Sequence, residues 1–330
     1  KPLQTIEGFG TCFNELGWTS LSLLSAADQE TILRELFAPG FGANFTICRM
    51  PVGANDFSRQ WYSYNETAGD FAMQHFSIAN DKETLIPFIR AAQHYNPKIK
   101  IWASPWSPPS WMKTNGHYAA RSVSNTNFVS EEWGMDLRGI NNGLAPDKEG
   151  HEGTDMFIQE EKYFTAYANY FSRFIDAYRK EGINISMVMP QNEFNSAQVF
   201  PSCTWTAAGL TRFIRVLGPV MKKKGVDLFL GTIERGCKPY VKGAGFQWAG
   251  KDAIAAIHKN YPALPLYQTE QECGNSKNDW KYCVYAWGLM KHYLSNGANV
   301  YTYWNTTLKQ GGISTWGWKQ NSLVSVDTVN

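Results

Sequence analysis

Short apolar runs alternate along this chain with longer segments whose apolar positions recur at helical spacing. Residues 6–14 (IEGFGTCFN) alternate apolar and small side chains and predict a first strand. Ser25 stands where it can cap a helix over residues 27–37, in which Ile32, Leu33, Leu36 and Phe37 share a face. NFTICRM, ending at Arg49, predicts a second strand, and residues 84–95 a helix closed by Asn96-Pro97. KIWAS, residues 100–104, predicts a third strand that runs into the proline-rich PWSPPSWMK. An irregular insertion follows at about 114–154, longer than ordinary connections and therefore expected to be functional or mobile.

Residues 160–180 read as a long amphipathic helix with Phe164, Tyr167, Phe171, Phe174 and Ile175 on one side. The next stretch, MVMPQNEFN (187–195), is a buried strand that opens at Pro190 into a polar loop. Residues 206–224 read as helical with an interruption near Gly218-Pro219. Further strands are expected at 227–233, 244–248, 264–270 and 299–304, with helices at 254–260 and 279–295. The link between the fifth and sixth strands is short and poor in helix. After Trp304 comes only a Gly-rich loop and an apolar run, 323–326, so either the chain is cut short or another segment covers that flank.

Eight strands alternating with helices predict parallel βα units closed as a (β/α)8 TIM barrel, one catalytic domain over residues 1–330. A doubly wound nucleotide-binding sheet is disfavoured, since no GxGxxG follows the first strand and no phosphate-binding P-loop occurs. The formal charge of +2 without a basic tract argues against nucleic acid as partner, and no apolar run is long enough for a membrane span. No signal peptide is visible before the first strand. Six cysteines without CxxC give no zinc pattern, and six scattered histidines form neither HxH nor HExxH, so no metal or other cofactor is expected. Cys48 and Cys283 read as core residues, and a Cys203–Cys237 bridge is open. Aromatics make up 15% of the chain and 13 of them are Trp. Many sit in polar loops (Trp61, Trp106, Trp111, Trp133, Trp205, Trp280, Trp316, Trp318), and as a group they predict a saccharide cleft.

In such barrels the functional groups lie at the C-terminal ends of the strands. Read in turn, those ends carry Asn14, Arg49, Trp106, Asn192, Glu193, Glu234, Gln247-Trp248, Glu270 and Trp304. Glu193 at the fourth strand and Glu270 at the seventh then face one another across the barrel mouth, with Arg49 placed to hold a carboxylate ionised. Two opposed carboxylates without metal ligands suit retaining glycoside hydrolysis, one attacking the anomeric carbon and one protonating the leaving oxygen.

The motifs EGFG (7–10), RMPVGANDFS (49–58), ASPWSPPSWMKTNG (103–116), QNEFN (191–195), TEQECG (269–274) and YWNTTL (303–308) resemble those of glycoside hydrolase family 30, which includes glucocerebrosidases and microbial β-1,6-glucanases. The resemblance implies Glu193 as acid/base, Glu270 as nucleophile, Arg49 as the nucleophile's partner, and Glu272 as a helper or bystander. It implies Asn192 on the sugar 2-hydroxyl, Asp56 and Trp106 on its far hydroxyls, and Trp304 as the platform beneath it. Trp248 and Glu234 stand at strand ends as further binding and supporting positions. Two departures stand out: Ala249 occupies a place usually held by Tyr, and the family's β-sandwich, built from both chain ends, is missing, as if the barrel were truncated at both ends.

The expected activity is retaining hydrolysis of β-glucosidic linkages in an oligo- or polysaccharide, with β-1,6-glucan first and glucosylceramide-like glycosides second. Xylan, fucosides and galactan stay open, as do a non-catalytic saccharide-binding barrel and, at more distance, a metal-dependent hydrolase. The long insertion and Trp205 are expected to wall the aglycone side. The family implies a secreted or periplasmic location. The Asn-x-Ser/Thr triplets at Asn44, Asn65, Asn184 and Asn305 would accept glycans only in a eukaryotic secretory host, with Asn44 and Asn184 read as chance matches beside strands.

Overall fold

The computed structural model describes residues 4–230 and 240–327. In chain order its elements begin with β1 (Gly8–Cys12), α1 (Glu15–Leu21), α2 (Ala26–Phe37), β2 (Ile47–Pro51), α3 (Leu85–Tyr95) and β3 (Lys100–Ser104). A small hairpin follows, β4 (Val129–Ser130) and β5 (Met135–Asp136), then α4 (Glu161–Lys180), β6 (Ile185–Val188) and α5 (Ala207–Lys224). The chain continues through β7 (Asp227–Leu230), β8 (Val241–Phe246), α6 (Ile254–Asn260), β9 (Leu266–Gln268), α7 (Trp280–Ser295) and β10 (Val300–Asn305). It ends in β11 (Thr307–Lys309) and β12 (Val324–Val326).

Eight strands close into a parallel barrel in the order β1-β10-β9-β8-β7-β6-β3-β2, as expected from the alternation. Strand alternation sorts the side chains into two cores. Ile47, Trp102, Met187, Met189, Phe229, Tyr267 and Val300 form a cluster inside the barrel, whereas Cys48, Met50, Ile101, Ala103, Ile185 and Val188 belong to the cluster shared with the helices. Gly10 is required by this closure: a Cβ there would lie 1.5 Å from the carbonyl oxygen of Ile47, so β1 approaches β2 only through a residue without a side chain.

Two elements differ from expectation. α1 was not anticipated; Asn14, assigned to the end of the first strand, instead caps it, accepting from Gly17 N at 2.7 Å. α5 is not interrupted, although Pro219 lies inside it. The bond that Pro219 cannot donate is offset by buried Ile214 and Leu217 on one side of it and Met221 on the other, which hold both halves on the same core. Of the two alternatives for the flank after β10, the structure has the covering segment: β11 and β12 form a two-stranded parallel sheet there. Thr307 Oγ1 donates to the Gly17 carbonyl at 2.7 Å, which seats this sheet on α1.

Several residues sit elsewhere than their local sequence implies. Cys283 is exposed on α7, because the helix buries only Leu289 and Tyr293 fully. Asn65 and Asn305 are buried, so it is these two triplets that are sealed from modification, while Asn44 and Asn184 are exposed. Cys237, and with it the Cys203–Cys237 bridge, lies outside the described residues. Among the described residues no helix is long and apolar enough to cross a membrane.

Candidate active site

Alternation places the centre of the site. Two positions above Ile47 on β2 stands Arg49, and two above Trp102 on β3 stands Ser104, whose hydroxyl accepts from Arg49 Nε at 3.1 Å and Nη2 at 2.8 Å. The guanidinium carbon lies 5.0, 4.4 and 5.3 Å from the ring centroids of Trp102, Trp106 and Trp304, a cation held among three indoles. From there Arg49 Nη1 donates to Glu270 Oε2 at 2.5 Å and Nη2 to Asn192 Oδ1 at 2.6 Å.

The segment after β6 is fastened to the segment after β3. Asn192 N donates to the Pro105 carbonyl at 2.8 Å, and Gln191 Nε2 to the Trp106 carbonyl at 2.7 Å. Trp205 Nε1 in turn donates to Gln191 Oε1 at 3.2 Å. Trp205 itself is fully buried and stacks on Phe157 at 4.6 Å, so it anchors this segment from the core and does not wall an aglycone site.

Glu193 and Glu270 line one cavity of about 880 Å3, together with Asp56, Trp106, Asn192 and Trp248. The hairpin within the long insertion contributes Glu132 and Trp133, and the insertion's end Glu152. Trp304 is fully buried and lies behind Trp106, their rings stacked at 5.1 Å, rather than on the cavity wall. Of the loop tryptophans, Trp133 is well exposed at the cavity, Trp316 is buried, and Trp280 is exposed on α7 outside it. Glu234 lies outside the described residues.

Two contacts here were not anticipated. Gln247, just past β8, donates from Nε2 to Glu193 Oε1 at 3.1 Å and to Asn192 Oδ1 at 3.2 Å. Its position at a strand end was visible, but the partner depends on how β6 and β8 are aligned across β7. The Asn192 oxygen thus accepts from both Arg49 and Gln247, and among the described residues its Nδ2 donates to no protein acceptor. The second contact is at the rim, where Lys251 pairs with Glu272 at 2.7 Å and Tyr285 donates to Glu272 Oε2 at 2.5 Å. Tyr282 and Tyr285 of α7 line the cavity, so tyrosine hydroxyls enter from another element although Ala249 replaces the expected one.

Glu193 and Trp248 both adopt the left-handed backbone region, at φ 41° and 46°. For residues with a Cβ that conformation is strained and persists only where the surroundings impose it. Lys251 Nζ, held by Glu272, donates to the Trp248 carbonyl at 3.2 Å and supplies part of that constraint.

Electrostatically, three carboxyls share one guanidinium. Burial pushes Asp56 up to about 8, with Glu193 adding to the effect, so Asp56 is largely protonated near neutrality. Burial also raises Glu193, against the opposing hydrogen bond from Gln247 and the charge of Arg49. Glu270 is raised by burial as well; Arg49 opposes that, and the charges of Glu193 and Asp56 reinforce it. Because Glu270 alone touches Arg49, at 2.5 Å, the first negative charge settles on it, and its neighbours keep their protons to higher pH. One carboxylate and one carboxylic acid facing a single cavity can act as nucleophile and proton donor.

Comparison with known proteins adds to this geometry. Residues 6–128 match the model of the glycosyl hydrolase family 30 TIM-barrel domain. A putative glucosylceramidase 1 of Caenorhabditis elegans is 28% identical over 98% of this chain and 59% of its own length. Over residues 6–128 the chain is similar to the glycosyl hydrolase family 30 domain. The lysosomal acid glucosylceramidase of Mus musculus is 27% identical over 96% of this chain and 62% of its own. An endo-1,6-beta-D-glucanase, neg1, of Aspergillus fumigatus is 26% identical over 81% of this chain and 55% of its own. The chain therefore spans less than two thirds of the length of each of these relatives. Among solved structures, an endo-β1,6-glucanase superposes with a TM-score of 0.77 at 24% identity, covering 98% of this chain and 72% of that one. SrfJ from Salmonella typhimurium gives 0.80 at 22% identity, covering 98% and 70%. The domain match covers EGFG, RMPVGANDFS and ASPWSPPSWMKTNG and ends before β6, so the two glutamates lie beyond it.

Proposed function

We propose that residues 1–330 form one catalytic barrel of a retaining β-glycoside hydrolase, with Glu270 as nucleophile and Glu193 as acid/base. The observation that carries this reading is that both glutamates line one cavity while Arg49 contacts only one of them. Glu270 attacks the anomeric carbon as Glu193 gives its proton to the glycosidic oxygen; the C–O bond to the aglycone breaks and a glycosyl ester forms. Water then enters, Glu193 takes its proton, the oxygen bonds to the anomeric carbon, and Glu270 leaves as carboxylate. Asn192 donates from Nδ2 to the sugar 2-hydroxyl, since its oxygen is already taken by Arg49 and Gln247. Asp56, protonated, binds a second hydroxyl, and the indoles of Trp106 and Trp248 bound the sugar. Trp304 supports Trp106 from behind.

For the substrate we favour β-glucosidic linkages, with β-1,6-glucan first, in keeping with the relatives and the solved neighbour named for that activity. Glucosylceramide-like glycosides are the second reading, favoured by the relatives named as glucosylceramidases and by the apolar cavity residues Phe246, Ile257 and Tyr261. Action on such a polymer places the protein outside the cytoplasm, secreted or periplasmic, which fractionation of the producing cell would check. Pustulan digestion and aryl β-glucosides separate the substrates; glucose release from neither overturns the glucosidic assignment. Glu270→Gln and Glu193→Ala should each lower kcat/KM on a poor-leaving-group substrate by at least ~10³-fold. Azide should rescue Glu193→Ala with a β-glycosyl azide as product and Glu270→Ala only with the α-anomer. Full activity in either variant, or the opposite anomers, overturns the mechanism.

A further inference from the structure

We infer that Gln247 is a positioning residue that sets both the orientation and the proton affinity of Glu193. The inference deepens the reading of Glu193 as acid/base and rests on it. Gln247 is partly exposed and stands just past β8, between the two strand ends that carry the glutamates. Its Oε1 accepts from Thr269 Oγ1 at 3.0 Å, and the Asn192 oxygen, fixed as an acceptor by Arg49, requires the N–H end of the amide on its other side. Thr269 is fully buried and also reaches the Phe246 carbonyl at 3.3 Å, so the hydroxyl is itself held in place. The opposite end of the amide, Nε2, is thereby turned toward Glu193 and Asn192.

A continuous chain of contacts results. Glu193 accepts from Gln247, Gln247 and Arg49 share the Asn192 oxygen, and Arg49 donates to Glu270. Thr269, the residue before Glu270, closes the circuit back to Gln247. The two carboxyls are thus registered against each other through side-chain amides, which carry no titrating proton of their own near neutrality. An amide N–H favours the charged form of the carboxylate it donates to. Gln247 therefore offsets part of the upward push of burial on Glu193, keeping the acid strong enough to release its proton. The left-handed φ of 41° at Glu193 gives a side chain at a strained position something specific to hold it.

The test compares Gln247→Met, which keeps length and removes the amide, with Thr269→Val and its hydroxyl-preserving control Thr269→Ser. kcat/KM on aryl β-glucosides reports steps up to aglycone departure, where proton donation matters only for poor leaving groups. Gln247→Met should lose about tenfold on a phenyl or alkyl glucoside and under ~3-fold on a dinitrophenyl glucoside, and the alkaline limb of its profile should move up by about one pH unit. Thr269→Val should shift the same limb in the same direction by less, and Thr269→Ser should restore the wild-type profile. Equal losses on both leaving groups with an unmoved limb overturn the inference and mark Gln247 as merely structural; so does an unchanged Gln247→Met. Should Gln247→Met fail to fold, the two Thr269 variants decide alone, a wild-type limb in Thr269→Val counting against it. Failure of the underlying reading looks different, because Glu193→Ala would then keep its activity.

Discussion

Arg49 concentrates the chemistry of the site in one side chain. It is 1% exposed, packs against three indoles, and donates to Glu270, Asn192, Ser104 and the Thr269 carbonyl. A lysine retains the charge but cannot serve that fork of acceptors. Arg49→Lys should keep the fold and lose on the order of 10²-fold in kcat, as misplaced acceptors do in other preorganised sites. Arg49→Met leaves the Glu270 carboxyl buried without its partner and should destabilise by about 3–5 kcal/mol, read as a lower Tm or denaturant midpoint. Since Arg49 opposes the upward shift of Glu270, that variant should also carry any residual activity with its acid limb displaced to higher pH. The identity of Arg49 as a carboxylate partner was legible from its strand end, and so were Glu193, Glu270 and Asn192 as a group around one opening. The role of Gln247 was not, because a glutamine has no local signature and gains meaning only from neighbours on other strands, one and two places round the barrel. Trp205 shows the converse: a loop indole suggests exposure, yet it is swallowed by packing against Phe157, and Trp304, read at a strand end as the platform beneath a sugar, is buried behind Trp106.

At the scale of elements, helices and strands with strong periodicity were readable nearly to the residue, as with β3 over Lys100–Ser104 and α6 over Ile254–Asn260. α1 escaped notice because its short sequence, ELGWTSL, has a glycine and no apolar period, and only the Asn14 cap and the packing of β11 on it make it a helix. Other elements are joined by a polar centre that sequence did not reveal. Asp81, fully buried ahead of α3, accepts from Tyr62 at 2.8 Å, Tyr64 at 2.6 Å and Tyr178 of α4 at 2.5 Å. Burial lifts its carboxyl to about 6, against the pull of the three hydroxyls. A raised carboxyl makes the folded state hold a proton more tightly than the unfolded one, so this contribution is complete below the ordinary aspartate range and fades as pH climbs to about 6. Asp81→Asn should therefore be less stable than wild type by a margin that is widest near pH 4 and narrows toward neutrality, measured as ΔG of unfolding against pH.

Over the whole molecule, charge is unevenly spread. The chain is nearly neutral at +2, yet the cavity is lined by Asp56, Glu132, Glu152, Glu193, Glu270 and Glu272, and among the described residues no Lys, Arg or His lines it. Asp56 and Glu193 hold their protons and Glu270 and Glu272 are paired with Arg49 and Lys251, so the net negative charge of the lining rests on Glu132 and Glu152, which disfavour anionic ligands. If the barrel hydrolyses glucans as proposed, uronate-bearing or sulfated polymers should be turned over at least ~10-fold more slowly than neutral ones, and the gap should narrow as salt screens the field. Equal rates at low salt would show that the cavity does not discriminate by charge. The barrel's seam has a consequence of another kind. β1 pairs with β10, and Thr11 and Thr306, 295 positions apart, share a hydrogen bond across that junction. During synthesis the first strand therefore waits, one edge open, until the strand that begins at Val300 has left the ribosome. Until then the sheet is unfinished, and its unpaired edge is a template for wrong pairing.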